Sequence, residues 1–453
     1  MKLIYFLFLS IIFSLACVAQ ITFNLADSFQ ICINNHIQNN RDKGISAAII
    51  MPNGGVWTGA AGIGKNSLPI QTTTPFYCAS TSKTFVAANM MKLVETNSIN
   101  INAPIYHYLV SSQYPSAYID STITIKQLLN HTSGIYNFTD NSNFFTSVTT
   151  NPTKAYAHGE CLFQFLNQGP TFPKGTGFNY SNSNYVLLAF ILEKATGADL
   201  KDIIYNNIIQ PLNLNATSSS DDTTPNSPAG FCANTGLFDV NLSNIPHTAL
   251  LTSMWGPAHM VSIPENLAHY CRALIKGQLY TQPTTITDML TVDPLSIDAT
   301  GYGLGIERYK FAGNNLFGHT GNLGHITYMF HSPTDDYTIV TMTNRFAVGG
   351  SDNILAFKAL EKIVLRHLAY PLSVSENYQA NSLGVYPNPA QNTISITGIR
   401  DANATIILTD VFGKEIVQSK QPTIDITEIA NGVYFLNVIQ NNHSSTQKII
   451  VNH

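Results

Sequence analysis

The chain has 453 residues, of which 44% are hydrophobic and only 11% are Asp, Glu, Lys or Arg, with a formal charge of -4. That length favours a large unit plus a smaller one, and the weak charge without a Lys/Arg run excludes nucleic acid, whose phosphates need clustered cations. After the first twenty residues no apolar run reaches the ~20 residues of a membrane-spanning helix, the longest candidate being Tyr185 to Leu192. No transmembrane segment is expected in the mature chain.

The opening MKLIYFLFLSIIFSLACVAQ places Lys2 before an apolar run and ends on Cys17-Val18-Ala19, small residues that fit a signal-peptidase site before Gln20. Residues 1–19 read as a signal peptide. The alternative, lipidation at Cys17, lacks the Leu such signals usually carry where Ser14 stands. Cleavage leaves Cys32, Cys78, Cys161, Cys232 and Cys271, an odd number that excludes a complete disulfide set and lacks zinc-site spacing. They read as small buried hydrophobes. Neither a metal nor a cofactor is implied.

Next, ISAAIIMPNGG and VWTGAAGIG form two β-type runs joined by Asn53-Gly54-Gly55, a hairpin signal. In STSKTFVAANMMKLVETNSI, Phe85, Ala88, Met91 and Val94 recur at helical spacing, which puts Ser80 at or near the start of a mostly buried helix. SNSNYVLLAFILEKATG predicts a second helix, capped by its Ser/Asn cluster and ended by Gly197. LFGHTGNLGHITYMFHSPTDDYTIVTMTNR reads as two strands joined at Ser332 to Asp336, with His319-Thr320-Gly321 opening a strand, and Asn353 to Leu368 follows as a helix. The order predicts an α+β fold for residues 20–370: an antiparallel sheet flanked by helices, with a mostly helical insertion between the hairpin and the late strands. Residues 371–383 are polar and aperiodic, a linker. Residues 384–453 hold short alternating runs split by Gly, Asn and Pro, the pattern of a small β-sandwich.

Ser-x-x-Lys occurs twice, at Ser80–Lys83 and at Ser445–Lys448. On a strand, residues three apart face opposite ways; on a helix they share a face, with Cβ atoms ~5–6 Å apart. Only the first pair therefore sets an amine beside a hydroxyl. A serine attacks when a neighbour takes its proton, and a desolvated lysine with a lowered pKa can do so. The local residues alone fit equally well a solvated Lys83 and a Ser80 that merely caps its helix.

Two further stretches follow in order: Tyr180-Ser181-Asn182 within PKGTGFNYSNSNYVLLAF, and His319-Thr320-Gly321, with ITIKQLLNHTSGI between STSK and the first of them. Together they resemble the penicillin-recognising serine hydrolases, namely D-alanyl-D-alanine carboxypeptidases, class C β-lactamases and related esterases, over roughly Ile31 to Leu368. The resemblance implies an acyl-enzyme on Ser80 and proton shuttling by Lys83 and Tyr180. It implies Asn182 bonding the substrate amide and Lys83, and His319, Thr320 and Gly321 lining the substrate. The backbone N–H groups of Ser80 and Asn322 would form the oxyanion hole. The expected partner is a peptide, amide or ester. A catalytically idle protein holding a cell-wall or penicillin-like ligand is the alternative, against which the intact set Ser80, Lys83, Tyr180 and Asn182 argues.

The sequence departs from that pattern in two places. The β-lactamases and carboxypeptidases usually have Lys where His319 stands; a permanent cation suits a substrate carboxylate, whereas His titrates near pH 6.5. Uncharged esters or amides are therefore favoured. Ala258-His259 replace a usual Gly pair, and His259 reads as a surface or packing residue. From Gly384, the tail resembles the sorting domain of the type IX secretion system through Tyr386-Pro387-Asn388-Pro389, Val411 to Glu415, Asn431-Gly432-Val433-Tyr434 and the closing KIIV. That implies the type IX machinery as partner and a secreted or cell-surface location. A carbohydrate-binding sandwich is the other reading, and no aromatic cluster in the sequence suggests a sugar platform.

Overall fold

The computed structural model describes residues 23–219, 246–296, 301–345, 352–369, 384–399, 401, 404–440 and 443–453. The signal segment 1–19, the linker 371–383 and Cys232 lie outside the described residues. The chain divides into two compact units, one ending at Lys362 and one beginning at Ile363.

Helix α1 (Phe23–Asn39) leads into the expected hairpin of β1 (Gly44–Ile50) and β2 (Val56–Gly62). Gly54 turns it with φ +82°, a value that costs a residue with a Cβ. Strand β3 (Phe76–Tyr77) and a 3-10 turn (Ala79–Thr81) precede α2 (Ser82–Glu95). The insertion holds α3 (Ile125–Leu129), α4 (Ser142–Thr150), α5 (Glu160–Phe165), α6 (Asn182–Thr196), α7 (Leu200–Ile204), β4 (Ser218–Ser219), α8 (Thr248–Ser253), β5 (Met260–Ser262), α9 (Pro264–Ile275) and α10 (Pro283–Leu290). After it come β6 (Glu307–Phe311), β7 (Asn314–Leu323), β8 (His325–Ser332), β9 (Tyr337–Thr343) and α11 (Asn353–Ala369).

The main sheet is antiparallel in the order β2-β1-β9-β8-β7-β6, and β3-β5-β4 form a small second sheet. Register fixes its two faces. Trp57, Ile49, Ile339 and Phe330 face one another across four strands; α1 covers them through Phe29, 5.1 Å from Trp57, and α11 through Phe357, 5.7 Å from Phe330. Ala48, Val340 and Met329 line the opposite face and share one core with α2, α6 and α9. Val340 and Met329, fully buried, contribute roughly 1.5–3 kcal/mol each. His319 pairs with Met329 and so joins that second face, while alternation sends Thr320 to the first.

Three local expectations need correction. The late segment forms three strands: Gly324, at φ +73°, turns the chain between Leu323 and His325. A sheet covered on both faces has no polar alternation, so the sequence gives the break little contrast. His319 accordingly lies within β7 and does not open it. Ser181 stands at the N-cap of α6 without a capping bond; its hydroxyl donates to the Tyr136 carbonyl at 3.4 Å. Gly197 does end that helix, at φ +70°.

The second unit contains β10 (Gly384–Tyr386), β11 (Thr393–Thr397), β12 (Thr405–Asp410), β13 (Glu415–Ser419), β14 (Thr423–Asp425), β15 (Gly432–Gln440) and β16 (His443–Val451). Sheets β10-β11-β14 and β13-β12-β15-β16 share a core of Ile394, Ile406, Leu408, Leu436 and Ile449. Among the described residues, no helix is long and apolar enough to cross a membrane.

Candidate active site

Ser80 sits in the 3-10 turn directly before α2 and is partly exposed. Its neighbour Ala79 takes φ +51°, a left-handed value that costs a residue with a Cβ about 1–2 kcal/mol. Surrounding bonds hold that turn. Thr81 Oγ1 donates to the Cys78 carbonyl at 2.9 Å, Cys78 N to the Met260 carbonyl at 2.9 Å, and Met260 N to Ser82 Oγ at 3.0 Å. Strand β7 lies against the turn at Gly321, where a Cβ would come within 2.3 Å of the Cys78 carbonyl oxygen. Any side chain there would push the strand away.

One helical turn on, Lys83 is fully buried. Its Nζ lies 3.3 Å from Ser80 Oγ, 2.7 Å from Asn182 Oδ1 and 3.2 Å from the Pro257 carbonyl oxygen. The rings of Tyr180 and Tyr185 stand 4.7 and 5.5 Å from it. Burial pushes its pKa well below the lysine range, with the Glu307 carboxylate pulling the other way. A neutral amine has two N–H bonds and one lone pair. Asn182 Oδ1 and the Pro257 oxygen are acceptors and take the two hydrogens, which leaves the lone pair for the Ser80 hydroxyl. Asn182 is oriented in turn, its Nδ2 donating to Thr139 Oγ1 at 3.1 Å and its backbone N–H to Asn137 Oδ1 at 2.9 Å.

Among the described residues, the buried Tyr180 hydroxyl makes no well-formed hydrogen bond. Burial raises its pKa well above the usual value, while the Ser80 side chain works to lower it, so the phenol keeps its proton near neutrality. Ser80, Lys83, Tyr180 and Asn182 thus form one cluster. His319 is fully buried beside it. Its Nδ1–H donates to the Thr320 carbonyl, and Nε2 accepts from Tyr302 Oη at 2.9 Å. Burial lowers the His319 pKa and Glu307 opposes that shift. Thr320 is partly exposed, and Asn322 is exposed near the end of the strand.

Four contributors carry no role in the sequence reading. His131, at the end of the ITIKQLLNH stretch, accepts at Nδ1 from Ser181 N–H at 3.1 Å and Asn184 Nδ2 at 3.0 Å. Its carbonyl accepts from Asn179 N–H at 3.1 Å, so this residue holds both flanks of Tyr180. Burial first, then repulsion from any positive charge on Lys83 or His319, keep its pKa well below the usual histidine value. The signal was a polar ring two residues after Leu129, which a core histidine would also give. Tyr302 and Glu307 offered none, being ordinary residues in a turn and a strand. Pro257 supplies a carbonyl, which no residue type announces. His259 proves to be a packing residue, 1% exposed, with Nδ1 donating to the Gly256 carbonyl at 3.2 Å. Cys78, Cys161 and Cys271 are buried free thiols.

A Ser-x-x-Lys turn, a Tyr-Ser-Asn helix start and a His-Thr-Gly strand meeting at a sheet edge define a fold of the serine β-lactamase and transpeptidase class. Residues 33–361 match the family described as Beta-lactamase, and residues 384–452 the Secretion system C-terminal sorting domain; the chain belongs to the beta-lactamase family and carries a sorting domain at its C-terminus. Penicillin-binding protein 4* of Bacillus subtilis (strain 168) is 32% identical over 151 residues, 33% of this chain and 31% of that protein. Protein flp of Staphylococcus aureus (strain NCTC 8325 / PS 47) is 26% identical over 282 residues, 60% of this chain and 53% of that protein. The chain thus matches between about a third and a half of the length of these relatives. Among solved structures, the D-stereospecific amidohydrolase from Streptomyces sp. aligns with a TM-score of 0.61 at 24% identity, over 74% of this chain and 98% of that one. The D-amino acid amidase from Ochrobactrum anthropi SV3, complexed with L-phenylalanine amide, aligns with a TM-score of 0.66 at 21% identity, over 76% and 99%. These structural likenesses establish a common fold.

Proposed function

We propose that this protein is an exported serine hydrolase acting through an acyl-enzyme on Ser80. The observation that carries the reading is the buried Lys83 amine, with two fixed acceptors for its hydrogens and Ser80 Oγ at 3.3 Å. As Ser80 Oγ attacks the substrate carbonyl, its proton passes to Lys83 Nζ. The backbone N–H groups of Ser80 and Asn322 meet the oxygen that gains charge. Tyr180 gives its phenolic proton to the leaving nitrogen or oxygen and regains one from Lys83. Water then attacks the ester, its proton moving to Lys83 Nζ and on to Ser80 Oγ as that oxygen leaves. Asn182 holds Lys83 and bonds the substrate amide, while His319, Thr320 and Gly321 line the groove.

The substrates are peptide, amide or ester bonds, and the amidases and penicillin-binding proteins among the similar chains support that range. In this reading residues 1–19 direct export, 20–370 catalyse, 371–383 link, and 384–453 engage the type IX secretion machinery for delivery to the cell surface or medium. Incubation with a fluorophosphonate followed by peptide mass spectrometry should place an adduct on Ser80, absent from Ser80→Ala and strongly reduced in Lys83→Ala. Labelling at another residue, or undiminished labelling of Lys83→Ala, would refute the assignment.

A further inference from the structure

The sheet edge beside Ser80 carries a carboxylate that the reaction above does not use. Strand β6 stops pairing with β7 at Glu307 opposite Gly318, so beyond that point β7 offers its edge to the groove. The Thr320 N–H at that edge is covered by the Glu307 side chain, which turns back over it. Glu307 Oε2 accepts from the Thr320 N–H at 2.9 Å and Oε1 from Thr320 Oγ1 at 3.0 Å. The carboxylate keeps 15% of its surface open, and its field reaches Lys83 and Tyr180.

These bonds set the polarity of the edge. The Thr320 hydroxyl commits its hydrogen to Glu307, so it offers lone pairs and no donor to anything that docks beside it. His319 offers no donor either, because Nδ1–H is held by the Thr320 carbonyl and Nε2 accepts from Tyr302. A substrate carboxylate placed here would face an anion, a hydroxyl oxygen and a histidine without a free N–H. An ammonium would face two acceptors, the Thr320 hydroxyl oxygen and the Glu307 carboxylate, and charge-assisted bonds are about twice as strong as neutral ones.

We propose that Glu307 and Thr320 form an ammonium subsite that makes the enzyme selective for amides and esters bearing a free amine near the scissile carbonyl, such as amino-acid amides, over substrates that end in a carboxylate. The inference rests on the Ser80 hydrolase reading. Glu307 is a specificity-determining residue in it and neither gives nor takes a proton in the reaction.

The test uses the full chain and the p-nitroanilides of D- and L-alanine beside their N-acetyl forms, which differ only at the amine. The wild-type protein is expected to favour the free amine of its preferred enantiomer at least tenfold in kcat/KM, mostly through KM. That preference should fade as the pH passes ~8, where an α-amine loses its charge. In Glu307→Gln the preference should fall below about threefold. A wild-type protein that turns over both forms equally, or prefers the acetylated one, overturns the subsite, as does a Glu307→Gln variant that loses both activities by the same factor. The wild-type comparison needs no variant, so a misfolded Glu307→Gln leaves it intact. Fluorophosphonate labelling separates the two failures: Ser80 labelled without an amine preference refutes only the subsite, whereas an unlabelled Ser80 refutes the hydrolase reading and the subsite with it.

Discussion

The two Ser-x-x-Lys segments place the same four-residue pattern in opposite surroundings. Ser80 and Lys83 start a buried helix, with the amine 3.3 Å from the hydroxyl and fully enclosed. Ser445 and Lys448 lie on β16 opposite Val438 and Phe435 of β15, and both are exposed. Three residues along a helix bring side chains together; three along a strand turn them to opposite faces. Proximity is only half of the contrast. Enclosure lowers the pKa of Lys83 and so favours its neutral, basic form, and the motif acquires chemistry from its packing.

The largest effect should come from breaking the buried pair. Lys83→Met keeps the volume and removes the base, and kcat/KM for a p-nitrophenyl ester should drop at least ~10³-fold, about 4 kcal/mol of barrier. Retention within tenfold would show that enclosure of the amine is irrelevant. The same variant tests the lowered pKa through stability. Lys83 is neutral when folded and charged when unfolded between its lowered folded value and the ~10.4 of free lysine. In that window the unfolded chain binds one more proton, so stability rises with pH by about 1.4 kcal/mol per unit, is full above ~10.4, and falls as the pH drops toward the folded value. Urea unfolding at pH 7 and pH 9 should therefore shift the gap between wild type and Lys83→Met in favour of the wild type at the higher pH, by up to about 1.4 kcal/mol for each pH unit above the lowered folded value. A pH-independent gap would mean that Lys83 keeps its charge on folding.

A smaller effect should follow from loosening the frame around the pair. His131→Phe leaves the Ser181 N–H and the Asn184 amide without their acceptor, and each unpaired buried donor costs ~1–3 kcal/mol. With Tyr180 and Asn182 less firmly held, kcat should fall about 10- to 100-fold, and His131→Gln, which restores an acceptor, should recover part of it. Equal losses in both variants would show that the ring, and not its acceptor nitrogen, positions the loop.

Much of this was legible beforehand where a residue type has one physical use. Asn53-Gly54-Gly55 could only turn, Phe85 to Val94 could only line a buried helix, and Gly197 ended α6 as expected. Ser80, Lys83, Tyr180, Asn182 and His319 were recognisable because they arrive in order along a chain of the right texture. Gly324 was not, because the strands on either side of it show no apolar–polar alternation whose interruption would mark the turn. Pro257 acts through a carbonyl every residue has, and Glu307 through the place where β6 happens to end. Roles assigned by backbone position or by strand length leave no residue signature.

The smallest expected effect belongs to the second segment. Ser445 and Lys448 are exposed, and the contact made at Lys448 by Asn388 Nδ2, at 2.7 Å, goes to its backbone carbonyl, which a side-chain truncation leaves in place. Exposed positions away from caps and cores change stability by ~0.5 kcal/mol or less, and strand preference alters that little on a partly paired surface. The double variant Ser445→Ala/Lys448→Ala should therefore unfold within ~0.5 kcal/mol of the wild type and label at Ser80 at an unchanged rate. A loss of labelling greater than about threefold would give the exposed pair a part in the chemistry and remove burial as the property that separates the two segments.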